Sequence, residues 1–211
     1  MRSWAVLWLT GALLLAGCAG TPPRPEPADP ATRWLDRQQA LQALDGWHLS
    51  GRLAVREEGN AWHARIEWQE GPRGYEIRLR GPFGQGQARL IGSADGVVLD
   101  SGDTELEYAR DPSELLHAHT GVRMPVDGLR WWIRGLPGPQ YDGDAELDAY
   151  GRLDHLIDAG WTIDFKGYTE VGGLELPRRL FIEKDGVEVR VVIDRWRLPA
   201  PDSAHAQLSS P

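Results

Sequence analysis

From Trp62 to Gln69 the chain alternates without a fault: Trp62, Ala64, Ile66 and Trp68 share one phase, and His63, Arg65, Glu67 and Gln69 the other. Successive side chains of an extended chain point to opposite faces, so this pattern demands a strand with one face dry and one face wet. Trp47, Leu49, Leu53 and Val55 keep the same rhythm before it, and Tyr75, Ile77 and Leu79 after it. It resumes through Ala88 and Leu90, Val97 and Leu99, Leu106 and Tyr108, then Trp161, Ile163 and Phe165, and Leu180 with Ile182. Val187, Val189, Val191 and Ile193 close the series, joined to the preceding strand across the turn at Lys184, Asp185 and Gly186. About eleven such segments predict a mainly antiparallel sheet, apolar on one side and solvated on the other.

Three helices interrupt the strands. Asp29-Pro30 caps one running to about Leu44, with Trp34, Leu41 and Leu44 inward. Asp111-Pro112-Ser113-Glu114 resembles a capping box and opens a second through Leu115 and Leu116, ending near Gly121. Pro125 precedes the third, where Leu129, Trp132, Ile133 and Leu136 follow helical spacing until Pro137. The last two lie between two blocks of strands, a position suited to a lid or plug over a curled sheet.

The ends of the chain carry a different message. A run of 13 residues, Trp4 to Ala16, apolar but for Thr10, follows the positive start at Arg2. A helix needs roughly 20 residues to cross a bilayer, so the run reads as the centre of a signal peptide. It ends in L-A-G-C, Leu15 to Cys18, the bacterial lipobox, and Cys18 is the single cysteine of the chain. The thiol of Cys18 is the expected site of a diacylglycerol, with its freed amine acylated in turn, and two or more chains anchor a protein where one does not. The expected organisation is therefore a signal peptide over 1–17 and a lipidated, proline-rich tether over 18–29. A single domain over 30–198 and a disordered tail over 199–211 follow.

Removing Arg2 with the signal peptide takes the formal charge from −8 to about −9. That balance argues against nucleic acid and against electrostatic adhesion to lipid headgroups, leaving the acyl chains as the expected anchor. Eight of the ten tryptophans lie beyond Cys18, a load large enough to line a space as well as fill one. Catalytic and metal motifs are not found. His117 and His119 point about 200° apart on a helix and do not suit a shared metal. Asp142, Asp144 and Glu146 read as the wet face of a strand, and the glycines around Phe83 lack the lysine and the helix of a phosphate loop. No cofactor, no metal and no enzymatic activity are expected.

Several stretches form an ordered set. They are G-R-L-A-V from Gly51 to Val55, W-H-A-R-I-E-W-Q from Trp62 to Gln69, and G-P-F-G-Q-G from Gly81 to Gly86. G-V-R-M-P-V-D-G-L from Gly121 to Leu129, W-I-R-G-L-P-G from Trp132 to Gly138, Gly160-Trp161 and I-D-R-W from Ile193 to Trp196 complete it. The set resembles the lipoprotein-localization family of LolA and LolB, on the side of the lipid-anchored LolB receptors, across nearly all of the chain beyond Cys18. The resemblance implies an unclosed antiparallel β-barrel with a helical lid over an apolar cavity. It implies a monomeric receptor that takes lipoproteins from the periplasmic carrier LolA and inserts their acyl chains into the outer membrane. Ala19, after the lipidated cysteine, fits export to that membrane.

Candidate cavity residues are Trp47, Leu53, Trp62, Ile66, Trp68, Ile77 and Leu79 on the strands, with Leu116, Trp132 and Ile133 on the lid; each taken singly serves equally well as plain core. The family carries an exposed apolar residue, most often aliphatic, on the loop after the third strand. Phe83, between Pro82 and Gly84, holds that place. Two other readings remain: an envelope lipoprotein that binds a small apolar ligand or a partner without transfer, and a cell-wall enzyme, which the missing motif disfavours.

Overall fold

In the computed structural model, which describes residues 29–81, 87–102 and 105–199, the alternating segments pair into one antiparallel sheet of eleven strands. The first half of the chain supplies β1 (Trp47–Glu57), β2 (Asn60–Gly71), β3 (Gly74–Arg80), β4 (Gln87–Ser93), β5 (Gly96–Asp100) and β6 (Glu107–Ala109). The second half supplies β7 (Ala145–Leu147), β8 (Leu153–Asp158), β9 (Trp161–Phe165), β12 (Arg179–Lys184) and β13 (Val187–Arg197). The order is β6-β5-β4-β3-β2-β1-β13-β12-β9-β8-β7, so the first and last strands are neighbours in the middle and the mid-chain strands form the two ends. A separate hairpin, β10 (Tyr168–Val171) with β11 (Leu174–Pro177), lies between β9 and β12 in the chain.

Among the described residues three helices accompany the sheet. Helix α1 (Pro30–Gln42) starts as its sequence dictates: the Asp29 side chain accepts from Ala31 N and Pro30 occupies the first turn. Helix α2 (Pro112–Thr120) is capped by Asp111, which accepts from Ser113 N, and ends at Gly121 in the left-handed region. Helix α3 (Val126–Trp132) is shorter than its apolar spacing predicts. Gly135 at φ 80 turns the chain, Gly135 N and Leu136 N bond back to Trp132 O and Trp131 O, and Ile133 and Leu136 are buried from a turn instead of a helix.

Other expectations change at the sheet margins. Leu106 and Tyr108 are exposed, because β6 is an end strand in which Tyr108 pairs with Val98 on the outward face. Asp142 and Asp144 precede the three-residue β7 and belong to no strand. The hairpin of β10 and β11 was not anticipated from the alternation, and neither was β8.

The sheet has one dry face. Along β1, and along β13 as far as Ile193, every second side chain is buried; a register shift then skips to Trp196, and these residues merge with those of α2, α3, β8, β9 and β12 into one apolar cluster. The segment carrying α2 and α3 thus covers the apolar face of strands from both halves. Cys18, Pro82, Phe83 and Gly84 lie outside the described residues.

Candidate functional site

The dry face is built by register. Leu53 stands opposite Ala64 and Val191, Ile66 opposite Leu79, Trp68 opposite Ile77, and Ile77 opposite Leu90. Cross-strand neighbours of this kind pack side by side about 5 Å apart and form a continuous apolar floor. At one end the floor is aromatic: the Trp47 ring lies 5.5 Å from Trp68 and 5.6 Å from Trp196, and Trp68 lies 6.0 Å from Tyr75. Trp47 Nε1 is buried without a hydrogen-bond partner among the described residues, an unspent donor in an otherwise apolar wall. A recess of about 300 Å³ bordered by Leu44, Glu70, Arg130 and Trp131 reaches this tryptophan.

Over the floor lie Leu115 and Leu116 of α2, Val126, Leu129 and Trp132 of α3, and Ile133 and Leu136 beyond it, all buried. The Trp132 ring stands 6.2 Å from that of Trp161. Gly128, one turn earlier, leaves the room this ring needs: a Cβ there would sit 2.4 Å from it.

Three carboxylates at strand ends hold the helical segment to the sheet. Glu57, ending β1, accepts from Arg123 N at 2.8 Å and from Arg123 Nη1 at 2.6 Å. Glu70, near the end of β2, is bonded by Arg130, whose guanidinium lies 4.8 Å from the Tyr75 ring centroid. Burial pushes the Tyr75 hydroxyl up to about 12, so it stays protonated. Asp158, ending β8, accepts from Trp132 Nε1 at 2.7 Å and Gly138 N at 2.6 Å. Glu57 and Asp158 are the buried charged residues among those described. Asp127 on α3 is held above the usual carboxylate range, by burial first and then by the Asp111 carboxylate.

Nine of the ten cavity candidates (Trp47, Leu53, Ile66, Trp68, Ile77, Leu79, Leu116, Trp132 and Ile133) fall in the single buried cluster. Trp62 packs against it half-buried. The three carboxylates are the residues the sequence reading missed. Their signal was present: each continues an inward phase, Glu57 after Leu53 and Val55, Glu70 after Ile66 and Trp68, Asp158 after Leu156. A charge at an inward position needs a partner arriving from outside the sheet. Among the described residues no group of three or more His, Cys, Asp or Glu is placed to hold a metal.

Comparison with known proteins fits this arrangement. Residues 45–196 match the family model described as outer membrane lipoprotein LolB. Outer-membrane lipoprotein LolB of Alkalilimnicola ehrlichii is 40% identical over 190 residues, 89% of this chain and 93% of the relative. That of Nitrosococcus oceani is 37% identical over 191 residues, 90% of this chain and 95% of the relative. A crystal structure of a LolA-superfamily protein from Nitrosomonas europaea superposes with a TM-score of 0.50 over 84% of this chain and 97% of its own, at 8% identity, a likeness of fold alone. The chain belongs to the LolB family of outer-membrane lipoproteins.

Proposed function

We propose that the sheet curls into an unclosed barrel whose apolar interior, under the segment of α2 and α3, receives the acyl chains of lipoproteins handed over by the carrier LolA. The protein then inserts them into the inner leaflet of the outer membrane, to which Cys18 anchors it on the periplasmic side. The observation that carries this reading is the unlike character of the two contacts between helical segment and sheet. Their facing surfaces are apolar, whereas the fastenings are a few polar bonds at strand ends. Releasing those bonds would uncover a wide apolar surface without dismantling the sheet.

The energetics suit a transfer without nucleotide or cofactor. Each buried methylene contributes about 0.8 kcal/mol, so acyl chains of a lipoprotein crossing water unprotected face a barrier on the order of 30 kcal/mol. A lined interior removes most of it, and handover from carrier to receptor to bilayer runs downhill. Phe83 follows Arg80 and Gly81 at the end of β3, and in this reading it is the apolar contact that enters the bilayer at delivery.

The test is direct. A LolA–lipoprotein complex is mixed with the chain lacking Cys18, and the protein that co-purifies with the lipoprotein is identified. Cargo should pass to this chain; cargo that never leaves the carrier sinks the proposal. Phe83→Glu should accept cargo normally and deliver it poorly into liposomes. Equal delivery by mutant and wild type would remove Phe83 from the mechanism.

A further inference from the structure

The outward face of the sheet carries a charge pattern that the acidic composition conceals. Arg52 on β1 stands directly opposite Arg65 on β2, and Arg65 directly opposite Arg80 on β3. All three are exposed, forming an unbroken arginine row across three strands. Like charges directly opposite one another weaken a sheet, so the row opposes stability and needs another reason to exist. Arg52 is compensated by Asp194 at 2.9 Å. Arg65 and Arg80 have no carboxylate within ion-pair distance among the described residues. The adjacent rung shows the contrast: Arg78 and Arg89 also stand opposite each other, but Glu76 lies between them at 2.5 and 2.9 Å.

The row borders a shallow groove of about 710 Å³ shared with His63, Arg190 and Val192. It also has a direction. Arg80 is the last residue of β3, and one residue later the chain enters the stretch containing Phe83.

We infer that this arginine row is a docking surface for the anionic phospholipid headgroups of the membrane that holds the protein. Charge complementarity selects an anionic occupant, since a chain of net charge −8 is otherwise repelled by such a surface. Nearness in sequence favours a bilayer over an acidic protein: Phe83 follows Arg80 by three residues, and a short segment that carries both a cation and an apolar ring suits an interface of charged headgroups and hydrocarbon. The inference rests on the lipid-anchored reading above. The anchor confines the domain near the bilayer, and the row then sets which face turns toward it.

The experiment uses the chain from Ala19 onwards, which keeps every described element and lacks the anchor cysteine. Its partitioning onto phosphatidylcholine vesicles is compared with that onto vesicles that also contain phosphatidylglycerol. Binding should require phosphatidylglycerol and fall with added salt. Arg65→Gln/Arg80→Gln should lower it about tenfold or more, while Arg73→Gln/Arg110→Gln, an equal change of charge elsewhere on the surface, should leave it unchanged. All four arginines are exposed, and coincident melting curves would show both variants folded.

Equal losses in the two double variants, or partitioning that ignores phosphatidylglycerol, overturn the inference. So does unaltered vesicle binding in the first double variant together with weakened binding to the carrier, which would make the row a protein interface. No cargo is present in this assay, so its failure and a failure of lipoprotein transfer are separately visible.

Discussion

A carboxylate buried at a strand end destabilises the fold unless its lone pairs are used, and Asp158 uses them on Trp132 and Gly138. Hydrogen bonds to a charged acceptor contribute about 1.5–3 kcal/mol each. Asp158→Ala should therefore lose about 3 kcal/mol or more of unfolding free energy in urea, with an unchanged m-value if the native state stays closed. A larger loss in m would instead report a native state that has already released its helical segment. Gly128 offers a test with an unusual sign. Alanine is favoured over glycine in a helix by about 1 kcal/mol, yet here the added Cβ would meet the Trp132 ring at 2.4 Å. Gly128→Ala should destabilise despite its propensity, and combining it with a smaller side chain at Trp132 should recover part of the loss in a double-mutant cycle.

Among the elements, α1 is fastened to the β10–β11 hairpin by a charged cluster. Arg37 of α1 bonds Glu175 of β11, Arg152 bonds Glu175 and Asp148, and both guanidiniums lie over the Tyr168 ring at 5.2 and 4.6 Å. Burial pushes the Asp148 carboxyl up, but hydrogen bonds from Arg152 and Tyr150 outweigh it and hold the group below the usual carboxylate range. Its stabilising contribution is thus complete above the unfolded value of about 3.9 and is lost as the pH falls through the lower folded value. Thermal melts taken below about pH 4 should show this loss, and Asp148→Asn should be less stable at neutral pH and flatter in acid.

The long strands were legible because burial on one face leaves a two-residue rhythm, as in β1, β2 and β13 up to Ile193. Helix α1 was legible from the Asp29-Pro30 cap and the spacing of Trp34 and Leu41. Strand β8 was not, since Leu153 and Leu156 are both buried across an irregularity in the pairing with β7 while Ile157 is exposed, which breaks the alternation. The hairpin of β10 and β11 escaped because its strands are four residues long and mostly half-buried, and its buried residues, Leu176 and Pro177, follow one another instead of alternating. The arginine row was invisible for another reason. Arg65 and Arg78 each have a glutamate two residues away, Glu67 and Glu76, and only the folded geometry shows that Arg78 pairs with its own while Arg65 stands between Arg52 and Arg80.

At the scale of the whole molecule, the first and last strands meet in the middle of the sheet. β1 pairs with β13 from His48 with Arg197 to Glu57 with Val187. The hairpins of β1 to β5 need only short loops to close, whereas the β1–β13 ladder must bring together strands separated by almost the whole domain, which raises the entropic cost and slows the step. During refolding, pulsed hydrogen exchange should find the amides of β2 to β4 protected before those that β1 and β13 exchange. Simultaneous protection would mean that the sheet nucleates across its centre. For a chain that emerges from its N-terminus, this order makes folding wait on synthesis: until Arg197 has appeared, β1 has one side unpaired. The domain cannot complete its central seam early, so the partly made chain keeps an open strand edge until its last strand has been made.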